Sequence, residues 1–389
     1  MEYRFSERMK NLRGNSIREI FKLVESPEVI SFAGGMPASE CLPLDAYRTY
    51  TDELLSGENA LSLLQYGATE GYRPLREAVA KHVGGMGIKA SAENVLIVSG
   101  AQQGIDLCYK LFLNEGDVLL VEDPTYLAAL HIAKTYRARA IGVRSEADGI
   151  DLVDLEEKIR THRPKLLYLV PNFSNPTGKT LSEEKRRAIA KMTAEYGVIV
   201  LEDDPYRALR YSGRHLPAIK HFDQSENVVY LTSFSKTISP AMRVGAMIAS
   251  RTLIAKLTVG KQATDVHTAT LSQAVAMRFL REGELERRVE ASLPVYRFKR
   301  DAMLKAMRRY FPKEAEFAEP EGGLFIWCKV PMPARELFLQ AISQRVAFVC
   351  GSDFFADGKG EQYIRLNFSN ESVDRIEQGI RILGDLLKR

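Results

Sequence analysis

The sequence predicts an α/β protein: a large, mostly parallel sheet covered by helices on both faces, plus a smaller α+β domain built from both chain ends. Three observations predict it. Between about residues 90 and 250, short apolar runs alternate with longer segments of helical spacing. The runs are continuously apolar, as in strands buried on both faces, and do not alternate apolar with polar. Beyond about residue 284 the strand–helix alternation is lost, and 389 residues are too many for one small core.

The elements follow in order. "SIREIFKLVE" has helical spacing and precedes a Gly/Pro-rich extended stretch, "SFAGGMPASECLP". Residues 1–45 are therefore expected to form an N-terminal arm and part of the smaller domain. Residues 46–285 are expected to form the large domain. In it "NVLIVS" (94–99) precedes the helical "AQQGIDLCYKLFL", and "DVLLVE" (117–122) precedes "PTYLAALHIAKTY". "LLYLVP" (166–171) is followed, after a loop, by "SEEKRRAIAKMTAEYG"; "VIVLEDD" (198–204), "VVYLTS" (228–233) and "VGAMIAS" (244–250) complete the set. Residues 286–389 are expected to form the small domain: the end of a long helix over 284–310, then "GGLFIWCKV", a helix, "VAFVC", "YIRLNFS" and a final amphipathic helix. In such sheets ligands gather at the C-terminal ends of the strands.

Composition removes several functional classes. The 54 basic and 50 acidic side chains nearly cancel, and no basic run with interleaved aromatics is present, so no nucleic-acid role is expected. The longest apolar runs are far too short to span a membrane, and the charged "MEYRFSERMKNLRG" has no apolar core of a signal peptide. Cys41, Cys108, Cys328 and Cys350 form no CxxC pair, and the six histidines show no ligand spacing. Reduced thiols, no metal site and a cytoplasmic location are expected.

Three motif matches fail on inspection. Ser233-x-x-Lys236 fits a serine–lysine acyl-transfer motif, but its companion SDN and KTG elements are absent. "GKT" at 178–180 is half a phosphate loop, whose first glycine would fall on Phe173. "GGMG" at 84–87 follows a helical pattern, not a strand. Four other segments end successive strand runs: "SGAQQG" (99–104), "NFSNPTGK" (172–179), "EDDPY" (202–206) and "SFSKTISPAMRVG" (233–245). A lone lysine such as Lys236 is usually a surface residue. The joint occurrence of these four, in this order, argues for a site.

With these segments the chain resembles the pyridoxal-5′-phosphate enzymes of fold type I, class I/II aminotransferases, and within them the subgroup of 2-aminoadipate and kynurenine aminotransferases. The resemblance runs from "SFAGGMP" to "YIRLNFS", and the set SNPTG, DDPY and SFSK…R is highly specific. It implies a seven-stranded large sheet, a pyridoxal phosphate cofactor and a homodimer with active sites at the subunit interface. It also implies ping-pong transfer of an amino group from an L-amino acid to a 2-oxo acid, 2-oxoglutarate being the expected acceptor.

The resemblance also distributes roles. Lys236 would hold the cofactor's aldehyde carbon and later shuttle a proton. Asp203, three residues before Tyr206, would keep the pyridine nitrogen protonated, with Asp204 the less suitable neighbour. Asn175 and Tyr206 would hydrogen-bond the ring oxygen, and Tyr126 would stack on the ring. Ser233, Ser235 and Arg243 would hold the phosphate, with Gln102 and the backbone N–H groups at Ala101, where the family often has a hydroxyl. Tyr66, in "QYGATEGYRPLRE", matches a tyrosine that reaches the phosphate across a dimer interface. Arg365, with Asn175, would bind the substrate α-carboxylate, since a guanidinium fork suits it. Gly34 and Gly35 would let the N-terminal segment lie close over the substrate. Arg18 matches an arginine that can bind a distal carboxylate; an exposed helix arginine is the other reading. Two further functions use the same fold: a pyridoxal-phosphate lyase cleaving carbon–sulfur bonds, and an aminotransferase-like ligand sensor in a transcription regulator. No DNA-binding module is read before "SIREIF", which disfavours the regulator.

Overall fold

A computed structural model describes residues 3–10, 12 and 26–388. The predicted "SIREIFKLVE" helix, and Arg18 with it, lies outside them. The strands are β1 (Ile30–Ser31), β2 (Val95–Val98), β3 (Val118–Asp123), β4 (Arg139–Glu146), β5 (Gly149–Ile150), β6 (Leu166–Leu169) and β7 (Ile199–Asp203). They continue with β8 (Val228–Ser233), β9 (Gly245–Ile248), β10 (Glu316–Phe317), β11 (Phe325–Lys329), β12 (Val346–Ala347), β13 (Val349–Cys350) and β14 (Tyr363–Asn367).

The large sheet has the order β2-β9-β8-β7-β6-β3-β4-β5. The pairings within β8-β7-β6-β3-β4 are all parallel, and β9 runs antiparallel to both its neighbours. The period of two divides each strand between two cores. Leu119 and Val121 face one core with the helix Ala101–Phe112, whereas Val118 and Leu120 face the other. Every residue of β2, β6 and β9 is buried, which is why these strands read as unbroken apolar runs.

The sheet holds eight strands, not the expected seven. After Glu146 the chain turns through Ala147 and Asp148, and Gly149–Ile150 pairs back on Ser145 and Glu146 as a short antiparallel edge. The sequence pattern also missed β4, the strand next to that edge, in which only Val143 is fully buried.

The second sheet, β10-β11-β14-β13, is antiparallel. The predicted "VAFVC" strand is split at Phe348: β12 pairs with β1 from the other end of the chain, and β13 pairs with β14. The N–H of Asn367 also donates to the carbonyl of Phe32 at 2.9 Å. Residues 30–36 are thereby tied to β12 and β14 and carried over the C-terminal edge of the large sheet. The helix Glu284–Tyr310 follows the large-sheet region and packs against the last helix, Val373–Leu387. No helix among the described residues is long and apolar enough to cross a membrane.

Candidate active site

The C-terminal ends of β2, β3, β6, β7 and β8, together with Phe325 of β11, Arg365 of β14 and the segment at Gly35, build a cavity of about 290 Å³. The antiparallel β9 matters here. It pairs Ser233 with Gly245, so the chain comes back to the same sheet edge and sets Arg243 beside the two serines. Gly35, Ala101, Gln102, Tyr126, Asn175, Asp203, Tyr206, Ser233, Ser235, Lys236, Arg243 and Arg365 all line the cavity. Gly34 is buried beside it without lining it. Tyr66 lies outside this chain's own cavity, 82% exposed, its ring edge-on to His267.

The Lys236 amine donates to the carbonyl of Gly35 at 2.8 Å. Burial, helped by the nearby positive charges of Arg365 and Arg243, lowers its pKa to about 8. A larger fraction of it is therefore neutral, and nucleophilic, near neutral pH than of an exposed lysine.

Asp203 and Asp204 diverge because successive residues of a strand point to opposite faces. Asp204 is committed: Oδ1 accepts from Asn172 at 2.7 Å and Oδ2 from the Tyr230 hydroxyl at 3.1 Å. Asp203 faces the cavity. Its Oδ2 accepts from the Tyr168 hydroxyl at 2.8 Å, while its buried Oδ1 has no partner. Burial raises its pKa to about 7, against the Tyr168 hydrogen bond and with Asp204 adding to the rise.

At the other end, Ser233 donates its hydroxyl proton to Ser235 Oγ at 3.0 Å, and Arg243 approaches Ser235 Oγ at 3.5 Å. A second Arg243 nitrogen donates to the carbonyl of Ser99 at 3.2 Å. Gly100, at φ +80°, begins the helix Ala101–Phe112, and a side chain there would collide with Arg243. The turn therefore offers helix-start N–H groups, two hydroxyls and a guanidinium to one anion.

Arg365 is 1% exposed. It donates to Asn175 Oδ1 at 2.9 Å and to the carbonyl of Ala33, and its buried Nε has no partner. Its guanidinium lies 4.3 Å from the Phe325 ring centre and 5.2 Å from that of Phe354. Burial lowers its pKa to about 10, so it stays charged at neutral pH.

Sequence reading missed Tyr168, Phe325, Phe354 and the cavity-lining Met36, Val170, Pro205 and Pro240. Only Tyr168 left a signal, as the one hydroxyl in the aliphatic run "LLYLVP". The unpaired Asp203 oxygen, the neutralisable lysine and the anion-binding turn together fit a phosphorylated pyridine aldehyde.

Comparison with known proteins agrees. Residues 45–383 match aminotransferase class I and II, and the chain belongs to that family. It is 36% identical to aromatic-amino-acid aminotransferase 1 of Thermococcus litoralis over 99% of this chain and 94% of that one. A kynurenine aminotransferase of Pyrococcus horikoshii, crystallised in complex with PMP, superposes with a TM-score of 0.95 at 37% identity, covering 99% of this chain and 96% of that one. The α-aminoadipate aminotransferase LysN of Thermus thermophilus, complexed with N-(5′-phosphopyridoxyl)-L-leucine, does so at 0.92 and 38% identity, covering 99% and 97%. The protein is a pyridoxal-phosphate-dependent aminotransferase, and amino acids and 2-oxo acids are its substrates.

Proposed function

We propose that this cavity carries the amino transfer with the division of roles read from the sequence. When bound, pyridoxal phosphate supplies an aldehyde that takes up the amine and a ring that accepts the electron pair left at the substrate Cα. Lys236 would hold the aldehyde carbon, and its amine would move the proton from the substrate Cα. Asp203 is assigned to the ring nitrogen because its Oδ1 is buried, ionisable and without a donor, which is the observation that carries the proposal. Tyr206 and Asn175 are assigned to the ring oxygen, Tyr126 to the ring face, and Ser233, Ser235, Arg243, Gln102 and the Ala101 helix start to the phosphate. Arg365, with Asn175, takes the α-carboxylate, and Gly34 and Gly35 keep the covering segment close.

The acceptor we propose is 2-oxoglutarate. Its second carboxylate needs a cation beyond those already engaged. Among the described residues, Lys236, Arg243 and Arg365 are the only cationic side chains lining the cavity, which supports Arg18 in that role. The relatives named for aromatic amino acids, kynurenine and α-aminoadipate suggest a long or aromatic amino donor. We also propose a cytoplasmic homodimer. Leu61, Leu64 and Tyr66 are exposed together, which supports a second copy covering them and receiving Tyr66 at its phosphate site.

Borohydride reduction of the loaded enzyme followed by peptide mapping tests the assignment. The added phosphopyridoxyl mass is expected on the peptide containing Lys236 and is expected to vanish in Lys236→Ala. Label on Lys179 or Lys261 instead would overturn it.

A further inference from the structure

We propose that Lys261 and Asp265, which do not line the cavity, form a positioning pair that fixes the Ser99–Gly100 turn and through it the phosphate-holding groups. This rests on the assignment of the phosphate to Arg243, Ser233, Ser235 and the Ala101 helix start.

Every polar group of Ser99 is tied. Its N–H donates to Gln103 Oε1 at 2.7 Å, its hydroxyl donates to Asp265 Oδ2 at 2.9 Å, and its carbonyl accepts from Arg243 at 3.2 Å. Gln103 is itself held at both ends. Its amide nitrogen donates to Asp265 Oδ2 at 2.8 Å, and its oxygen accepts from Lys261 Nζ at 2.8 Å. Lys261 closes the ring with contacts of 2.8 and 3.0 Å to the two oxygens of Asp265, and its side chain is fully buried.

A buried lysine is costly unless it is paired and hydrogen-bonded. A helix–helix or helix–strand contact could have been filled by an apolar side chain. Here the charge is spent on orienting one amide and one serine, and both act on the same turn. The consequence reaches the cavity by two routes. Arg243 is fixed by the Ser99 carbonyl and by its packing on Gly100. The helix start also presents backbone N–H groups only, because Ala101 brings no hydroxyl, so binding there depends on where the backbone sits. The network extends further: the Ser99 hydroxyl lies 3.2 Å from Thr268 Oγ1, and the Thr268 carbonyl accepts from Gln273, whose oxygen accepts from the N–H of Tyr72. This chain of hydrogen bonds thus runs from the turn to Tyr72.

The test compares affinity for pyridoxal phosphate with affinity for pyridoxal, which lacks the phosphate. Both are read from the absorbance of the bound aldehyde in wild type, Ser99→Ala, Lys261→Met and Arg243→Ala. Breaking a charged hydrogen-bond network is expected to weaken pyridoxal phosphate binding about 10-fold in Lys261→Met, and several-fold in Ser99→Ala. Pyridoxal affinity should hold steady, so the preference for the phosphorylated form collapses. Ser99→Ala leaves the Lys261–Asp265 ion pair in place and decides the matter if Lys261→Met fails to fold. If Arg243→Ala removes the preference while Ser99→Ala and Lys261→Met keep it, or weaken both ligands equally, the positioning role is overturned. If Arg243→Ala itself keeps the preference, the underlying phosphate assignment is wrong.

Discussion

Replacing Asp203 by Asn removes a charge from the cavity wall with almost no change of shape. In the chain without cofactor, burial moves this carboxyl from its ordinary 3.8 to about 7. The shift is about three units at about 1.36 kcal/mol each, so ionised Asp203 destabilises the folded chain by about 4 kcal/mol relative to the unfolded one. The sign follows from proton counts. Between pH 4 and 7 the folded state holds a proton here that the unfolded state has lost, so this contribution falls as pH rises through that window. Above pH 7 both states are ionised and the loss is complete. The Asp203→Asn side chain carries no charge in either state, so the variant escapes the penalty. Glu202, also raised to about 7, is present in both proteins and cancels from the difference. Denaturant melts of the two cofactor-stripped proteins should therefore diverge by about 1.4 kcal/mol per pH unit from pH 5 to 7, about 3 kcal/mol in all, with the variant the more stable at pH 8. With pyridoxal phosphate added, the ring N–H should supply the donor that Oδ1 lacks, and the advantage should reverse. Parallel pH profiles for the two stripped proteins would refute the reasoning.

Other outcomes follow from the same geometry. The rate at which Lys236 captures pyridoxal phosphate should rise through about pH 8 and level off, because the amine becomes neutral there; a rate still climbing at pH 10 contradicts a depressed pKa. Arg365→Ala leaves Asn175 Oδ1 and the Ala33 carbonyl without their donor and removes the α-carboxylate's partner. It should raise KM for every amino acid by about 30-fold or more, so an effect confined to one substrate would refute the assignment. Tyr66→Phe should weaken cofactor binding by about 3- to 10-fold although Tyr66 lies outside its own chain's cavity; an unchanged Kd contradicts contact across the dimer.

The sheet and most of the site were legible because polar residues interrupt apolar runs at the strand ends. "VIVLEDD" announces both a buried strand and a carboxylate at its C-terminal edge. β4 was not legible, since only Val143 in it is fully buried and Arg139, Arg144 and Glu146 break its apolar run. Nor was β5, two residues whose pairing depends on a tight turn. The choice between Asp203 and Asp204 came from the resemblance; the physical cause is the strand period, which hands one to Tyr168 and the cavity and the other to Asn172 and Tyr230. Contacts among chain-distant segments left no local pattern. Phe354 over Arg365, and Lys261 reaching Gln103 across 158 residues, exist only once the chain is folded. Arg18 falls outside the described residues, so its role rests on the sequence.

The central claim is that Lys236 and Asp203 serve amino transfer to a 2-oxo acid in this cavity. The most direct measurement is the absorbance spectrum of the enzyme with pyridoxal phosphate, titrated first with L-glutamate and then with 2-oxoglutarate. A visible band that gives way to near-ultraviolet absorption with glutamate and returns with 2-oxoglutarate is predicted, and Lys236→Ala should show no such band. A wild-type band that glutamate leaves unchanged would contradict glutamate/2-oxoglutarate as the exchanging pair, and an identical cycle in Lys236→Ala would contradict the site itself.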